Sequence, residues 1–330
     1  MIEITDELII ERAYQYYKNK EFPYPILNPG ELLILFKKLQ KAKSKIVKSK
    51  GGFFKRCNEI EIQPIGDPQL ANSFHPHIWQ SKAVGTFSPT ESYCIEKKLR
   101  KAIRLSLKYE GDIHNMTLLR YLKLVDGTQM CSNFRPTAAK AVYDYFDAHN
   151  VMDMSTGYGG RLIGFIASKS TGFYFGVDPS KRTCEANMKI TKFFGAEDRT
   201  TIVCKPFENV KDIPTVDLAF TSPPYFSKEI YDDSPKQSRE RYPEYNAWLK
   251  GFLVQLVIKT RTALTPKGIM ALNVNDVTIK GTRYPLLDDT IKTAEENGFV
   301  HVQTIKLKFS GFGKNMSKFK FEPLLIFKKR

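Results

Sequence analysis

No two cysteines of this 330-residue chain are spaced as CxxC; Cys57, Cys94, Cys131, Cys184 and Cys204 lie far apart. A zinc knuckle and a disulfide framework are therefore excluded, and the five read as reduced, structural thiols. No stretch approaches the ~20 apolar residues that a membrane helix requires. The first residues, MIEITDELII, lack the positive start and long apolar run of a signal peptide. The expectation is a soluble, cytoplasmic protein with no membrane partner. No internal repeat or low-complexity segment appears either. With 42% hydrophobic and 26% charged residues, wholesale disorder and collagen-like or coiled-coil architectures are excluded.

Acidic residues are scarce beside basic ones, 35 Asp and Glu against 51 Lys and Arg, which leaves a net charge of +16. Such a surplus favours a polyanionic partner, because cations that neutralise phosphates release condensed counterions. The surplus is +7 over residues 1–150 (23 basic, 16 acidic) and +9 over 151–330 (28 basic, 19 acidic), so it is not a detachable tail. The densest run, FKKLQKAKSKIVKSKGGFFKR from Phe36 to Arg56, reads as an amphipathic helix that ends at Gly51-Gly52. Its apolar face is Leu32, Leu33, Leu35, Phe36 and Leu39. The lysine face is either a solvated surface or a strip for phosphate contacts.

Residues 1–130 read as mainly helical, with helices near Ile9–Tyr17, from Glu31, over Glu91–Tyr109 and near Met116–Val125, and an irregular stretch between Asn58 and Pro89. From Val151 the pattern becomes short apolar strands alternating with helices, the mark of a mostly parallel α/β sheet. The strands fall at 150–154, 173–178, 200–204, 216–221, 268–274, 301–309 and 322–329. The last two leave no room for a crossover helix, so they should pair as an antiparallel edge hairpin.

After the first of these strands comes DMSTGYGGRLIGF, with Asp153 at the strand end and Gly157, Gly159 and Gly160 in the turn. Glycines there let the backbone approach a ligand and leave helix N–H groups facing it. The next strand ends at Asp178, where a carboxylate can accept hydrogen bonds from both ribose hydroxyls. The third glycine of GxGxxG is missing, its position being Leu162, and no GK[ST] follows, so dinucleotide and P-loop readings fall. The tight strand-to-helix turn without a ligand is the plainer alternative.

The fourth strand runs into TSPPYF, Thr221 to Phe226. Two consecutive prolines stop a strand because they donate no backbone hydrogen bond, and Ser222 and Tyr225 then stand at the ligand crevice. Here the chain resembles the SAM-dependent DNA amino-methyltransferases, whose catalytic motif has the form (D/N/S)PP(Y/F/W). The resemblance covers roughly Phe134 to Arg330. It implies a class I methyltransferase fold, a Rossmann-like, mostly parallel seven-stranded sheet with an antiparallel edge strand, spanning 131–330. By elimination, 1–130 becomes the candidate target-recognition region.

What the resemblance implies for residues is specific. Phe134, Arg135, Asp153, Ser155, Gly157, Gly159, Asp178, Phe207, Glu208 and Thr221 would form the site for S-adenosylmethionine, which leaves as S-adenosylhomocysteine. Ser222, Pro223, Pro224 and Tyr225 would be catalytic, holding and stacking a base flipped out of double-stranded DNA. Lys228, Lys236, Arg239, Arg241 and Lys314, on two polar loops, are candidate DNA contacts. No metal is expected: His75 and His77 in SFHPHIW lack further ligands, and Trp79 and Phe74 read as core. No Pro-Cys dipeptide is present, which argues against cytosine-C5 chemistry. Serine at the first motif position resembles cytosine-N4 enzymes, with adenine-N6 DNA or RNA methylation as the alternative. An inactive DNA-binding relative of the same fold is a further alternative, opposed by the intact motif. Restriction–modification is the implied setting, with a restriction endonuclease as candidate partner.

Overall fold

The computed structural model describes residues 5–48, 58–309 and 320–330. Its chief element is a nine-stranded sheet built from β1 (Lys45–Lys48), β2 (Asn58–Ile62), β3 (Val151–Asp153), β4 (Tyr174–Asp178), β5 (Thr200–Cys204), β6 (Val216–Thr221), β7 (Leu264–Asn273), β8 (Phe299–Phe309) and β9 (Lys320–Lys329). The spatial order is β1-β2-β8-β9-β7-β6-β3-β4-β5. Neighbours from β7 to β5 run parallel, and β9 lies antiparallel to both β7 and β8.

All seven expected strands are present, and two more extend the sheet. The pairing of β8 with β9 is antiparallel as expected, but β8 is not an edge, because β2 pairs with it in parallel. The reason lies in NEIEI: Ile60 and Ile62 are buried while Glu59 and Glu61 alternate with them and face Lys308 at 3.8 and 3.5 Å. Period-two alternation of this kind makes a strand with one dry face. The lysine-rich run is also not one helix. A helix spans Pro29–Lys41, started by the Asn28/Glu31 capping box, and stops where Ala42 turns extended; Ile46 and Val47 then belong to β1. Leu32, Phe36 and Leu39 are buried, whereas Leu33 is exposed.

Successive residues of a strand feed opposite faces of the sheet. On β9, Leu324 and Ile326 join a core with Leu39, Ile60, Val142, Phe165 and Phe220, while Leu325 and Phe327 join Met152, Val177, Trp248, Leu256 and Met270. Full burial of each such side chain contributes about 1.5–3 kcal/mol, so both faces must be covered. Helices Pro136–Phe146, Gly160–Ala167, Lys181–Phe193 and Leu286–Glu296 supply covering side chains, with the helical segment Tyr245–Ala263, whose residues Leu249–Leu253 form a π turn.

The chain divides into two compact units, and the division is not a single cut at 130. One comprises the chain up to Ile26, Pro76–Ser132 and Glu229–Asp233; the other comprises Leu27–His75, Asn133–Lys228 and Ser234–Arg330. The first is mainly helical, with helices Asp6–Lys18, Pro89–Cys94, Glu96–Glu110 and Asn115–Leu122. Phe22 packs on Trp79 and Tyr93, and the Tyr93 hydroxyl donates to the Tyr17 carbonyl at 2.7 Å. In this unit Lys82–Ala83 pairs antiparallel with Glu229–Ile230. The second unit holds the whole nine-stranded sheet. Among the described residues, no helix is long and apolar enough to cross a membrane.

Candidate active site at the switch point of the sheet

From β3 the chain proceeds outward to β4 and β5, and only then returns to β6 and β7 on the other side of β3. Such a reversal leaves a crevice at the carboxyl ends of the two central strands, where open α/β sheets hold ligands. The glycine turn leaves β3 there and TSPPYF leaves β6 there. The two strand ends are joined directly: Thr221 Oγ1 donates to Asp153 Oδ1 at 2.7 Å. Asp153 is fully buried and also accepts from Arg161 Nε (2.8 Å), the Tyr174 hydroxyl (2.7 Å) and the Ser155 N–H (3.2 Å). A buried carboxylate survives only with this kind of pairing. Asp153 and Thr221, expected to touch the cofactor, are thus turned inward and tie the crevice together. Burial first, and then the Asp153 charge, push the Tyr174 hydroxyl well above the usual tyrosine range, so it stays a donor.

The turn itself depends on glycine. Gly157 and Gly159 have φ of +56° and +74°, the left-handed region. A Cβ on Gly159 would meet Ile190 Cδ1 at 2.6 Å, and one on Gly160 would overlap the Phe134 carbonyl. The expected neighbour of the turn, the segment before helix Pro136–Phe146, is therefore in backbone contact with it. Phe134 packs edge-on against Phe220 at 5.5 Å with the Arg161 guanidinium 5.3 Å from its ring, while Arg135 lies over Phe309. Asp178 faces the turn: its Oδ2 accepts the Gly157 N–H and its Oδ1 the Ser180 N–H, both at 2.9 Å. Ser180 Oγ is buried with no hydrogen-bond partner among the described residues. The Ser155 carbonyl accepts from Arg161. Two expected adenine neighbours are engaged elsewhere: Phe207 is in the core, and Glu208 is ion-paired with Arg241.

Beyond β6 the chain makes a tight turn. Phe226 N–H donates to the Pro224 carbonyl at 3.0 Å and Lys228 N–H to the Tyr225 carbonyl at 3.2 Å. Phe226 itself has φ +53°, a conformation that costs a non-glycine residue about 1–3 kcal/mol and must be held by its surroundings. Its ring is buried against Tyr245 (5.2 Å), Tyr284 (5.1 Å) and Trp248 (6.0 Å). The Tyr225 hydroxyl donates to Asn273 at the end of β7, 3.1 Å from its carbonyl and 3.3 Å from Oδ1, and Asn273 Nδ2 donates to the Pro323 carbonyl. Asn273, Tyr245 and Tyr284 were not among the expected site residues; the only signal for Asn273 was a polar residue ending an apolar strand. In contrast, neither Ser222 Oγ nor the Pro223 carbonyl has a hydrogen-bond partner among the described residues. Ser222 is half-buried.

The segment after this turn carries four of the expected DNA contacts. Lys228 is half-buried and Lys236 exposed, and neither forms an ion pair among the described residues. Arg239 and Arg241 are engaged, with Glu240 at 2.9 Å and with Glu208. Lys314 lies outside the described residues. Among the described residues no cluster of His, Cys, Asp and Glu could hold a metal ion. Cys131 and Cys184 are buried, and burial pushes both thiols up, away from the reactive thiolate.

No protein-family model matches the chain, and no curated protein matches it. Among solved structures, a SAM-dependent O-methyltransferase from Thermotoga maritima is similar over 60% of this chain and 67% of its own, at 14% identity and a TM-score of 0.42. TrmN from Thermus thermophilus is similar over 59% of this chain and 49% of its own, at 15% identity and a TM-score of 0.42. A precorrin-6y C5,15-methyltransferase from Geobacter metallireducens is similar over 59% and 89%, at 15% identity and a TM-score of 0.40. Numbering the seven core strands in chain order, the sheet reads 3-2-1-4-5-7-6 with the seventh antiparallel. That order, rather than any of these likenesses, shows that the chain carries the class I methyltransferase fold.

Proposed function

We propose that this protein transfers a methyl group from S-adenosylmethionine to the exocyclic amino group of a nucleic-acid base, cytosine N4 of DNA. The observation that carries the reading is the pair of hydrogen-bond acceptors, Ser222 Oγ and the Pro223 carbonyl, that no described protein group satisfies at the mouth of the crevice. An amino group has two N–H donors, and its lone pair is delocalised into the ring. Accepting from both donors holds that nitrogen in line and favours its pyramidal, nucleophilic form. The sulfonium cofactor supplies the electrophilic methyl: the new N–C bond forms as the C–S bond breaks, its electron pair stays on sulfur, and the nitrogen proton passes to water.

The residues present fit that cofactor. A Cβ on Gly157 would meet the Ser155 carbonyl at 3.7 Å and nothing nearer, Asp178 brings its carboxylate to the turn, and Ser180 Oγ lies buried two residues from it with no described partner. Tyr225, fixed through Asn273, offers its ring to stack on a flipped base. The surplus of +16 suits a phosphate backbone, which Lys228 and Lys236 and the unit containing Pro76–Ser132 would meet. Serine at the first motif position favours cytosine N4 over adenine N6. The test is incubation with unmethylated DNA, or RNA, and labelled S-adenosylmethionine, followed by mass spectrometry of the nucleosides. Label on cytosine N4 of DNA is expected. Label on adenine would replace the base assignment, and label on RNA alone the substrate. Absence of label from every nucleic acid would overturn the reading.

A further inference from the structure

The glycine turn is held by the segment around helix Pro68–Asn72, which precedes the seven core strands in the chain. His75 is fully buried, with Nε2 3.1 Å from Asn187 Oδ1, and Asn187 Nδ2 donates to the Gly157 carbonyl at 3.0 Å. Because Asn187 spends its amide N–H on Gly157, its oxygen faces His75, which requires the proton to sit on Nε2. Three residues earlier, Asn72 does the same for the next carbonyl. Asn133 Nδ2 donates both to Asn72 Oδ1 and to the Tyr158 carbonyl, each at 2.9 Å. Between them Phe74 packs on Phe193 and Phe194 at 5.5 and 6.0 Å, which fixes the segment to the helix that bears Asn187.

We infer that Asn72 and His75 are positioning residues for the cofactor turn, each acting through an asparagine on one of two consecutive backbone carbonyls. In a trans peptide the C=O and the N–H of the same plane point in opposite directions. Pinning the Gly157 and Tyr158 carbonyls into the protein therefore aims the N–H groups of Tyr158 and Gly159 the other way. Gly157 and Gly159, at positive φ, are the joints that such a turn can swing on, so the carbonyls need holding. His75 also closes the space beside Gly159, where a Cβ would stand 3.2 Å from its Nε2. Oriented amides in a turn are what receive a polar or anionic group of a cofactor. The assignment of that cofactor as S-adenosylmethionine rests on the proposed function, whereas the hold on the turn does not.

The experiment uses the full chain with four substitutions. His75→Ala and Asn72→Ala remove the hold. His75→Gln keeps an N–H at the Nε2 position, and Asn72→Asp keeps the acceptor. Two readouts are taken: hydrogen exchange of residues 155–162 without ligand, and calorimetric titration with S-adenosylmethionine. Both alanine variants should exchange about tenfold faster over that stretch and bind about five- to tenfold more weakly, the loss expected when one buried hydrogen bond is removed. His75→Gln and Asn72→Asp should restore slow exchange and affinity. Alanine variants that match the unsubstituted protein, or conservative variants as damaged as the alanines, would overturn the inference. If an alanine variant does not fold, its conservative partner decides alone. A protein that binds no S-adenosylmethionine at all would overturn the cofactor reading, and the exchange arm would still decide the hold on the turn.

Discussion

Thr221 and Ser222 are consecutive hydroxyl residues with opposite surroundings. Thr221, the last residue of β6, points into the sheet and donates to Asp153; Ser222, one step on, has no described partner at the crevice. The strand ends between them, so Thr221 is spent within the sheet while Ser222 stands past its end. Ser222→Ala should lower kcat by about 10²-fold, the usual loss for one such polar contact at a reacting centre, and leave the Kd for S-adenosylmethionine unchanged. Equal losses in both would remove Ser222 from the reacting centre. Asp153 supports a second expectation. Tyr174 and Tyr143 are held protonated above their usual pKa of about 10, by burial and then by the Asp153 charge. The unfolded chain gives up those protons from about pH 10, while the folded chain keeps them. Stability is therefore full below pH 10 from this source and falls as pH rises beyond it. Urea midpoints measured from pH 8 to 11 should show the decline, and Tyr174→Phe should make it shallower.

At the scale of elements, the π turn Leu249–Leu253 within helix Tyr245–Ala263 is positioned by one glycine. A Cβ on Gly251 would overlap the ring of Tyr242. Glycine-to-alanine in a helix normally stabilises by about 1 kcal/mol, but forcing a ring aside costs about 1–3 kcal/mol, so the second effect wins. Gly251→Ala should lower the urea midpoint, and Tyr242→Ala in the same chain should remove the penalty. The elements legible in the sequence were those with a local signature. Apolar runs such as VDLAFT and TTIVC, separated by helical lengths, placed all seven core strands within a few residues. β2 was not legible, because NEIEI carries only two apolar residues and its partner β8 lies some 250 residues away. Of the candidate site, the places of the glycine turn, Asp178 and TSPPYF at the ends of their strands were readable from residue types at fixed spacing. The inward turn of Asp153, the engagement of Glu208 by Arg241 and the asparagine relays were not, since each depends on which side chain arrives from a distant segment.

At the scale of the whole molecule, residues 27–75 belong with the sheet. Leu32, Phe36, Leu39, Ile60 and Ile62 lie in the same core cluster as Val142, Leu162 and Ile305. A fragment that starts at Asn133 would lose those five buried side chains and uncover β8, whose free backbone groups invite pairing with another chain. Such a fragment should be poorly soluble or aggregated by size-exclusion chromatography. One that behaves as a stable monomer would show that the first strands are dispensable.

The division of the chain into units has a consequence for how such a protein diversifies. The helical unit is assembled from three separate stretches, the last being Glu229–Asp233, which begins two residues after Ser227 and three after Phe226. Enzymes whose target preference resides in one contiguous module can exchange it by a single recombination event. Here a graft would have to bring in three pieces together, the last spliced almost onto the turn that carries Ser222 and Tyr225. On the proposal that this unit meets the nucleic acid, changes of target are expected to arise by point changes rather than by module exchange, and a directed-evolution library would do better to follow the same route.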